Sequence, residues 1–491
     1  MGHDGLVKVV VIGAGVAGLG CALALSGDGH DVLLIERDDT PLPHDAHGAF
    51  EWDRRGAPQV RHSHALLARL RNLLRDRHPD VLAELLAAGA TEMDFIEMLP
   101  DDVDRTRLPG DEDLVALACR RTTFEWILRR HVLQLDHVDL MHGHVVTAVN
   151  ASGNPARPPV TGVTLDDGTS VDADLVVAAG GRRHDVPKLL SPLGVTIDET
   201  IEDTGIIYFS RFYRLIDGAD WPEQVGPIGG DLGYLKYGVF QGDNRTFSIT
   251  LATRTDDDEL RALLLDPDQF ERAAGHLTAT APYVDGRSEP ITPVNVMARL
   301  LNRHRTFTDG DGAPLAPGFV AVGDAHTCTN PLYGRGCSLG VVQAELLLDS
   351  IRAAGQDPVE IGREFERRSA EEIEPWYRAA VMQDAANRAD VEQAAASNGD
   401  VGGDGISDET GGPEMSMRDV MRDGLFPAMR DHPIVLRAFL RMFNLLESPD
   451  SLMTNGEVIT LVMQAYAARD ERPPPEPLGP GRDGMLEVLA A

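Results

Sequence analysis

The sequence predicts an α/β chain of the α+β kind, with a Rossmann-like nucleotide-binding domain, a mixed or antiparallel-sheet substrate domain and a C-terminal helical region. Three observations predict it. Residues 6–12 form an unbroken β-branched run that leads at once into GxGxxG; a second glycine-rich segment occupies 318–340; and between them residues 206–251 alternate in aromatic-rich stretches. The first pattern is that of a strand buried on both faces of a parallel sheet, and the last that of antiparallel strands.

In the opening motif, Gly13 permits the tight turn, Gly15 lets the backbone approach a pyrophosphate and Gly18 allows close helix-to-strand packing. A small-residue helix follows, with Ala17 in its first turn, and its N-terminus offers unpaired N–H groups and a positive dipole end to phosphates. A second strand over 31–35 ends on Glu36, where a carboxylate accepts hydrogen bonds from adenosine ribose hydroxyls, with Arg37 next to it. Strand, loop, helix, strand and acid together point to a dinucleotide; the glycine motif alone would not.

The choice of dinucleotide rests on the distant segment GFVAVGDAHTCTNPLYGRGCSLG. A short strand over 319–322 delivers Gly323 and Asp324, and a Pro- and Gly-rich turn through Pro331, Gly334, Arg335 and Gly336 leads into a helix expected near Ser338. Asp324 is placed to bind a polyol such as ribityl. The N–H groups of the turn, with the helix dipole behind them, suit the pyrimidine edge of an isoalloxazine, where negative charge develops. FAD is the expected cofactor.

These segments resemble, in order, those of the para-hydroxybenzoate hydroxylase superfamily, the group A flavin monooxygenases, over roughly residues 6–355. The stretches PQVRHSHALL, YFSRFYR and GDLGYLKYGVFQGDNRTFSITLA are closest in look to actinobacterial FAD oxidoreductases allied to polyether and squalene epoxidases. The resemblance implies a GR2-type FAD-binding domain in two pieces, 1–200 and 300–355, with a substrate-side insertion at about 80–113. A substrate domain at 201–299 and a helical region at 356–491 complete the division. It also implies that Arg121 reaches the diphosphate and that Val146 lies beside adenine. The family's middle motif, an Asp-Gly or Ser-Gly pair, is altered here: DLVVAAGGRR keeps the tight turn in Gly180 and Gly181 but lacks the acid.

The family chemistry is insertion of one oxygen atom from O2 through a flavin C4a-hydroperoxide. The resemblance therefore implies a hydroxylase or epoxidase acting on a small lipophilic or aromatic secondary metabolite, with NAD(P)H as electron donor or a separate flavin reductase in its place. A reductase of the geranylgeranyl type and a flavin-dependent halogenase are the enzymatic alternatives, although the halogenase segment WxWxIP is missing. A flavin-binding partner protein is the non-enzymatic one. The stretch Pro58–Leu67 is expected to begin a helix soon after the second strand, and its Arg61, His62 and His64 are candidates for orienting substrate or moving protons. Tyr208, Arg211 and Tyr237, with Phe212, Tyr234 and Phe240, are candidates for the substrate wall.

Composition narrows the partners. A chain of 491 residues with 43% apolar and 25% charged residues is that of a globular enzyme, and its net charge of −33 opposes nucleic acid. No apolar run is long enough for a membrane span, and no basic leader or signal-type stretch precedes the first strand, so a cytoplasmic protein is expected. Cys21, Cys119, Cys328 and Cys337 have no CxxC spacing, so neither a disulfide nor a metal site is expected. The segment PIVLRAFLRMFNLL is apolar on most faces, which predicts a buried helix that covers the active site, meets a second subunit or lies against lipid. Both monomer and homodimer stay open. Residues 397–413 are expected as an exposed loop, and the tail RPPPEPLGPGR as extended or mobile.

Overall fold

The computed structural model describes residues 6–100, 103–154, 156–223, 228–399, 419–473 and 477–490. Five parallel strands form the sheet to which the opening motif belongs, in the order Phe319–Ala321, Leu175–Ala178, Lys8–Ile12, Asp31–Glu36, Val138–His142. Val9, Val10 and Val11 are fully buried, as a strand covered on both faces requires. This strand order carries the site: Phe319–Ala321 pairs with Leu175–Ala178, which pairs with Lys8–Ile12, so three loops remote in sequence emerge side by side. They are the loops at Gly13, Gly180 and Gly323.

The helix Val16–Gly27 packs against the helix Gly336–Ala354 with little between them. A Cβ on Gly323 would lie 2.8 Å from the Ala17 Cβ, and one on Gly340 3.3 Å from it. Small residues at these positions let the two glycine-rich segments share one cleft. The second helix starts at Gly336 rather than near Ser338, because Gly334 already turns the chain with φ +66°.

The second sheet runs Gly229–Asp231, Leu235–Gln241, Thr246–Arg254, Ile206–Leu215, Ser288–Pro290, all antiparallel. Strand alternation divides it into two faces. Ile207, Phe209, Tyr213, Ile249 and Leu251 pack into one apolar cluster with Leu260, Leu264 and Phe270, which belong to the helices Asp258–Leu264 and Pro267–Gly275. The other face, with Tyr208, Ser210, Ser248 and Thr250, meets His62 and Ser63.

Two sequence expectations change. The stretch Pro58–Leu67 does not open a helix: it makes a single 3₁₀ turn, Pro58–Arg61, and the helix begins only at Ala68. In PIVLRAFLRMFNLL the helix Pro433–Phe443 buries Val435, Leu436 and Leu440 but exposes Ile434 and Phe443, so it is one-sided rather than apolar all round. It is held by Arg437, whose guanidinium donates to both Asp111 oxygens at 2.8 and 2.7 Å, tying the C-terminal helices to the insertion. The tail is anchored at its described end: Arg482 pairs with Asp257 at 2.8 Å, and Met485 and Leu489 of the helix Arg482–Ala490 join the apolar cluster. Most of the expected loop at 397–413 lies outside the described residues, and Glu374–Gly399 is helical up to that limit. Among the described residues no helix is long and apolar enough to cross a membrane.

Candidate functional site

One continuous cleft runs from the C-terminal ends of the parallel strands to the polar face of the antiparallel sheet. At its outer end stand Glu36, Arg37 and Val146; Gly13, Gly15, Ala17 and Arg121 wall its middle, with Gly180 beside them; Asp324, Pro331, Gly334 and Gly336 wall its inner part.

The glycines divide their labour as the sequence predicts. Gly13 has φ +105°, and a Cβ there would stand 2.8 Å from the Ala179 carbonyl oxygen. On Gly18 it would meet the Gly13 carbonyl oxygen, which makes Gly18 a packing residue rather than part of the wall. On Gly15 it would meet nothing within 4 Å, because Gly15 borders open cleft. Gly15 also caps the helix Val16–Gly27, which has no side-chain cap and no acidic residue in its first turn. An uncapped N-terminus facing open space is what a pyrophosphate requires.

Glu36 is fixed from below. Its carboxylate accepts from the Ala14 N–H at 2.9 Å and the Asp38 N–H at 3.0 Å, and the buried Arg54 guanidinium lies 3.5 Å away. Arg54 also donates to Glu125 at 2.8 Å, Asp38 at 3.1 Å and the Ala14 carbonyl at 3.3 Å. Burial opposes its charge, yet the carboxylates of Glu125, Glu36 and Asp38 raise its pKa. Arg121 is half-buried and pairs with Glu125 at 3.1 Å, so its guanidinium is aimed along the cleft instead of into solvent. Nothing in the sequence marks Arg54 or Glu125; only the folded loop brings them under Glu36.

Asp324 is the acid of the inner half. Burial raises its pKa against the lowering charges of Arg121, Arg182 and Arg303, and among the described residues no side-chain hydrogen bond engages its carboxyl. A half-buried acid at the cleft wall without donors suits a polyhydroxy chain, which brings donors of its own. Two arginines set the backbone around it. Arg303 donates to the carbonyls of Arg182 and Asp324, both at 2.9 Å, and Arg305 to those of His184 and Ala325 at 3.2 and 2.7 Å. They clamp the altered middle motif to the Gly-Asp segment. That motif has lost its acid but places Arg182 on the cleft wall, a residue the sequence reading missed.

At the inner end the turn Pro331–Tyr333 precedes the helix Gly336–Ala354, again without a side-chain cap or an acid in its first turn. Asp384 supports the turn from behind, accepting from Asn302 at 2.7 Å, Asn330 at 2.9 Å and the Tyr333 hydroxyl at 2.8 Å. Facing the turn, Tyr208 donates to the Met297 sulfur at 2.7 Å and stands edge-on to His62, with ring centres 5.2 Å apart. Ser63 and His64 complete the wall. Behind it Ser63 bonds Ser248 at 2.7 Å and Thr250 at 2.6 Å, and Thr250 leads through Ser210 to His62.

Burial, then the charge of Arg182, lowers the His62 pKa to about 4, and burial and Arg121 lower that of His64 to about 3. Burial raises that of Tyr208. All three groups are therefore uncharged near neutrality.

The remaining candidates lie elsewhere. Arg61 is exposed on its 3₁₀ turn and is not part of the cleft wall. Arg211 and Tyr237 sit on the opposite face of the antiparallel sheet: Arg211 bonds Glu271 and the Thr292 carbonyl, and Tyr237 packs in the apolar cluster. Odd and even positions of a strand face opposite ways, and the sequence does not say which parity meets the cofactor. The Arg335 side chain stacks between Tyr333 and Trp376, leaving only its backbone for the turn. Phe212 packs edge-on against Phe50. Cys328 and Cys337 wall the cleft as free thiols. Among the described residues no group of His, Cys, Asp or Glu could hold a metal ion.

Residues 8–292 match the family model described as FAD dependent oxidoreductase. The chain belongs to that family. The oxidoreductase is 31% identical over 372 residues to Protein Rv3254 of Mycobacterium tuberculosis, covering 70% of this chain and 73% of that one. It is 30% identical over 208 residues to the chloroplastic zeaxanthin epoxidase of Nicotiana plumbaginifolia, covering 41% of this chain and 29% of the epoxidase. Its fold is similar to that of the flavin-dependent brominase Bmp2, with a TM-score of 0.59 at 17% identity, over 95% of this chain and 99% of the brominase. FAD is thus the cofactor of the family, and the cleft fits it: open space at Gly15 for the diphosphate, Glu36 for the ribose and the donor-poor Asp324 for the ribityl chain.

Proposed function

We propose that the oxidoreductase is a monooxygenase, a hydroxylase or epoxidase of a small lipophilic or aromatic metabolite. The observation that carries this reading is the inner end of the cleft, where Tyr208, Met297 and the neutral His64 line the wall together with the turn that would hold the flavin ring. Such a wall offers an apolar ligand a surface and little to hold bulk water, which oxygen transfer must exclude. FAD, when bound and reduced, supplies the activation of O2. The protein's own residues do the rest. The helix N-termini at Gly15 and Gly336 hold negative charge at the diphosphate and at the pyrimidine edge, while Glu36 and Asp324 fix the sugar and the ribityl chain. Tyr208 and Met297 orient the substrate.

The overall balance is substrate, O2, NAD(P)H and one proton giving oxygenated substrate, water and NAD(P)⁺. NAD(P)H serves directly, or a partner reductase delivers the same two electrons. Among the described residues no carboxylate acts on His62, His64 or Tyr208, and the histidines are neutral, which favours an alkene over a phenol that must first be deprotonated; the relation to a zeaxanthin epoxidase points the same way. The test is to reduce the holoenzyme anaerobically, admit ¹⁸O2 in the presence of lipophilic alkenes and phenols, and weigh the products. One ¹⁸O atom per product supports the reading. Saturated product without label, or halogenated product when bromide is added, would replace it with a reductase or a halogenase.

A further inference from the structure

A second cavity lies on the far side of the turn 330–334. Its floor is formed by Ile206 and Leu332, and its rim carries Asp231, Lys236, Arg254 and Asp256, with Asp384 and Arg388 along one side. The partition between this cavity and the flavin cleft is thin. Ile206 lines the second cavity while Tyr208, two positions on along the same strand and on the same face, lines the cleft. That spacing is about 7 Å. Likewise Leu332 lines the cavity, and its neighbours Pro331 and Gly334 line the cleft. Ile206, Tyr208, Ala252, Met297, Leu300 and Leu332 form one small apolar cluster of their own, separate from the larger cores. The two spaces are parted by the turn 330–334, which Asp384 holds from the cavity side, and by the side chains of this cluster.

The rim is rich in charge, but its acids and bases balance, Asp231, Asp256 and Asp384 against Lys236, Arg254 and Arg388. Lys236 pairs with Asp231, Arg254 with Asp256, and Arg388 donates to the Asp203 carbonyl. An ionic head group would have to displace an ion pair, whereas a neutral polar head finds donors and acceptors already in place. We propose that this cavity is the outer chamber of the substrate site and takes an elongated neutral amphiphile. Its hydroxyl- or sugar-like head rests among the rim residues, and its apolar chain passes between Ile206, Leu332 and Met297 to the flavin. The proposal deepens the monooxygenase reading, on which it rests, by assigning the substrate a shape and a head group.

Octyl glucoside, octanoate and methyl glucoside separate the alternatives. Each is titrated into the FAD-loaded enzyme below micellar concentration, and the visible absorption band of the oxidised flavin is followed. Octyl glucoside should shift the band saturably, and both octanoate and methyl glucoside should bind at least about tenfold more weakly, a difference of about 1.4 kcal/mol. Leu332→Trp, which fills the partition, should abolish the shift while the flavin stays bound; Ile206→Trp provides the same block if the first variant loses its flavin. Asp231→Asn leaves Lys236 without its counter-charge and should raise the affinity for octanoate. Equal binding of octanoate and octyl glucoside by the unaltered enzyme, or an undiminished shift in both tryptophan variants, would overturn the proposal. Because the readout is flavin absorbance and not turnover, an enzyme found to perform no oxygen transfer would sink the monooxygenase reading without erasing the titration.

Discussion

Replacing Arg54 by Met should weaken FAD binding and folding together, although Arg54 carries none of the sequence motifs. The guanidinium is enclosed by Glu36, Asp38 and Glu125, whose side chains are 6%, 6% and 0% exposed. Removing one partner of a buried ion pair costs about 3–5 kcal/mol, because the remaining charges lose their compensation. Here part of the loss is shared: Arg121 still faces Glu125, and two backbone N–H groups still hold Glu36, so about 3 kcal/mol, the lower end of that range, applies. Binding suffers separately. If Glu36 tilts and its hydrogen bonds to the ribose fail, about 1.5–3 kcal/mol is lost, or a 10- to 150-fold rise in Kd. Both numbers are measurable, by urea unfolding of the apoprotein and by quenching of FAD fluorescence.

The pH dependence fixes the cause. In the native protein burial raises the Glu125 pKa, but Arg54 and Arg121 hold it below its ordinary value. Its stabilising contribution is thus present above the unfolded pKa near 4.3 and is lost as pH falls through the lower folded value. With Arg54 gone the buried carboxylates prefer to be protonated, so the deficit of R54M should shrink as the pH falls from 7 toward about 5. A variant with unaltered stability and unaltered FAD affinity would refute the reasoning. So would a deficit that does not change with pH.

Other outcomes follow from single contacts. Gly15→Ala adds a methyl group that meets nothing in the protein, so apoprotein stability should hold while FAD affinity drops at least about tenfold. Gly13→Ala meets the Ala179 carbonyl at 2.8 Å in a left-handed backbone, and should impair folding itself, seen as loss of soluble protein or a lowered Tm. Because the folded pKa of His62 is about 4, below an unfolded value near 6.5, its burial weakens the fold as pH drops through that window, by at most about 1.4 kcal/mol per pH unit. His62→Asn should flatten that part of the stability curve measured by urea. Tyr333→Phe removes one donor from the buried Asp384 and should cost about 1–3 kcal/mol of stability, with a change in the flavin absorption band if the turn moves.

How much of this was legible in the sequence depended on whether a residue acts through the backbone or through its side chain. Gly13, Gly15, Gly323 and Gly334 could be read directly, because turns and close approaches have few chemical solutions. The pairing of the two distant halves was legible only as an expectation from the motifs; the strand order supplies the physical reason, since Phe319–Ala321 sits one strand away from Lys8–Ile12. Side chains fared unevenly. Tyr208 faces the cleft and Arg211 and Tyr237 face away from it, because strand parity is decided by which face the helices cover. Arg54, Glu125, Arg182 and Asp384 were invisible: each gains its role from partners far along the chain, and no local pattern announces such a partner. Proline favours the first turn of a helix, but at Pro58 the chain leaves that turn after Arg61 to place His62 and Ser63 against the antiparallel sheet.

The central claim is that the loop at Gly13 and the turn after Asp324 hold two ends of one FAD molecule. Titrating the flavin-free protein with FAD and with ADP, for the unaltered chain and for Asp324→Ala, tests it most directly. The account predicts one FAD per chain, bound much more tightly than ADP, with that advantage cut at least about tenfold in Asp324→Ala while ADP affinity stays the same. A protein that binds FAD no better than ADP, or whose preference survives the loss of Asp324, would contradict it.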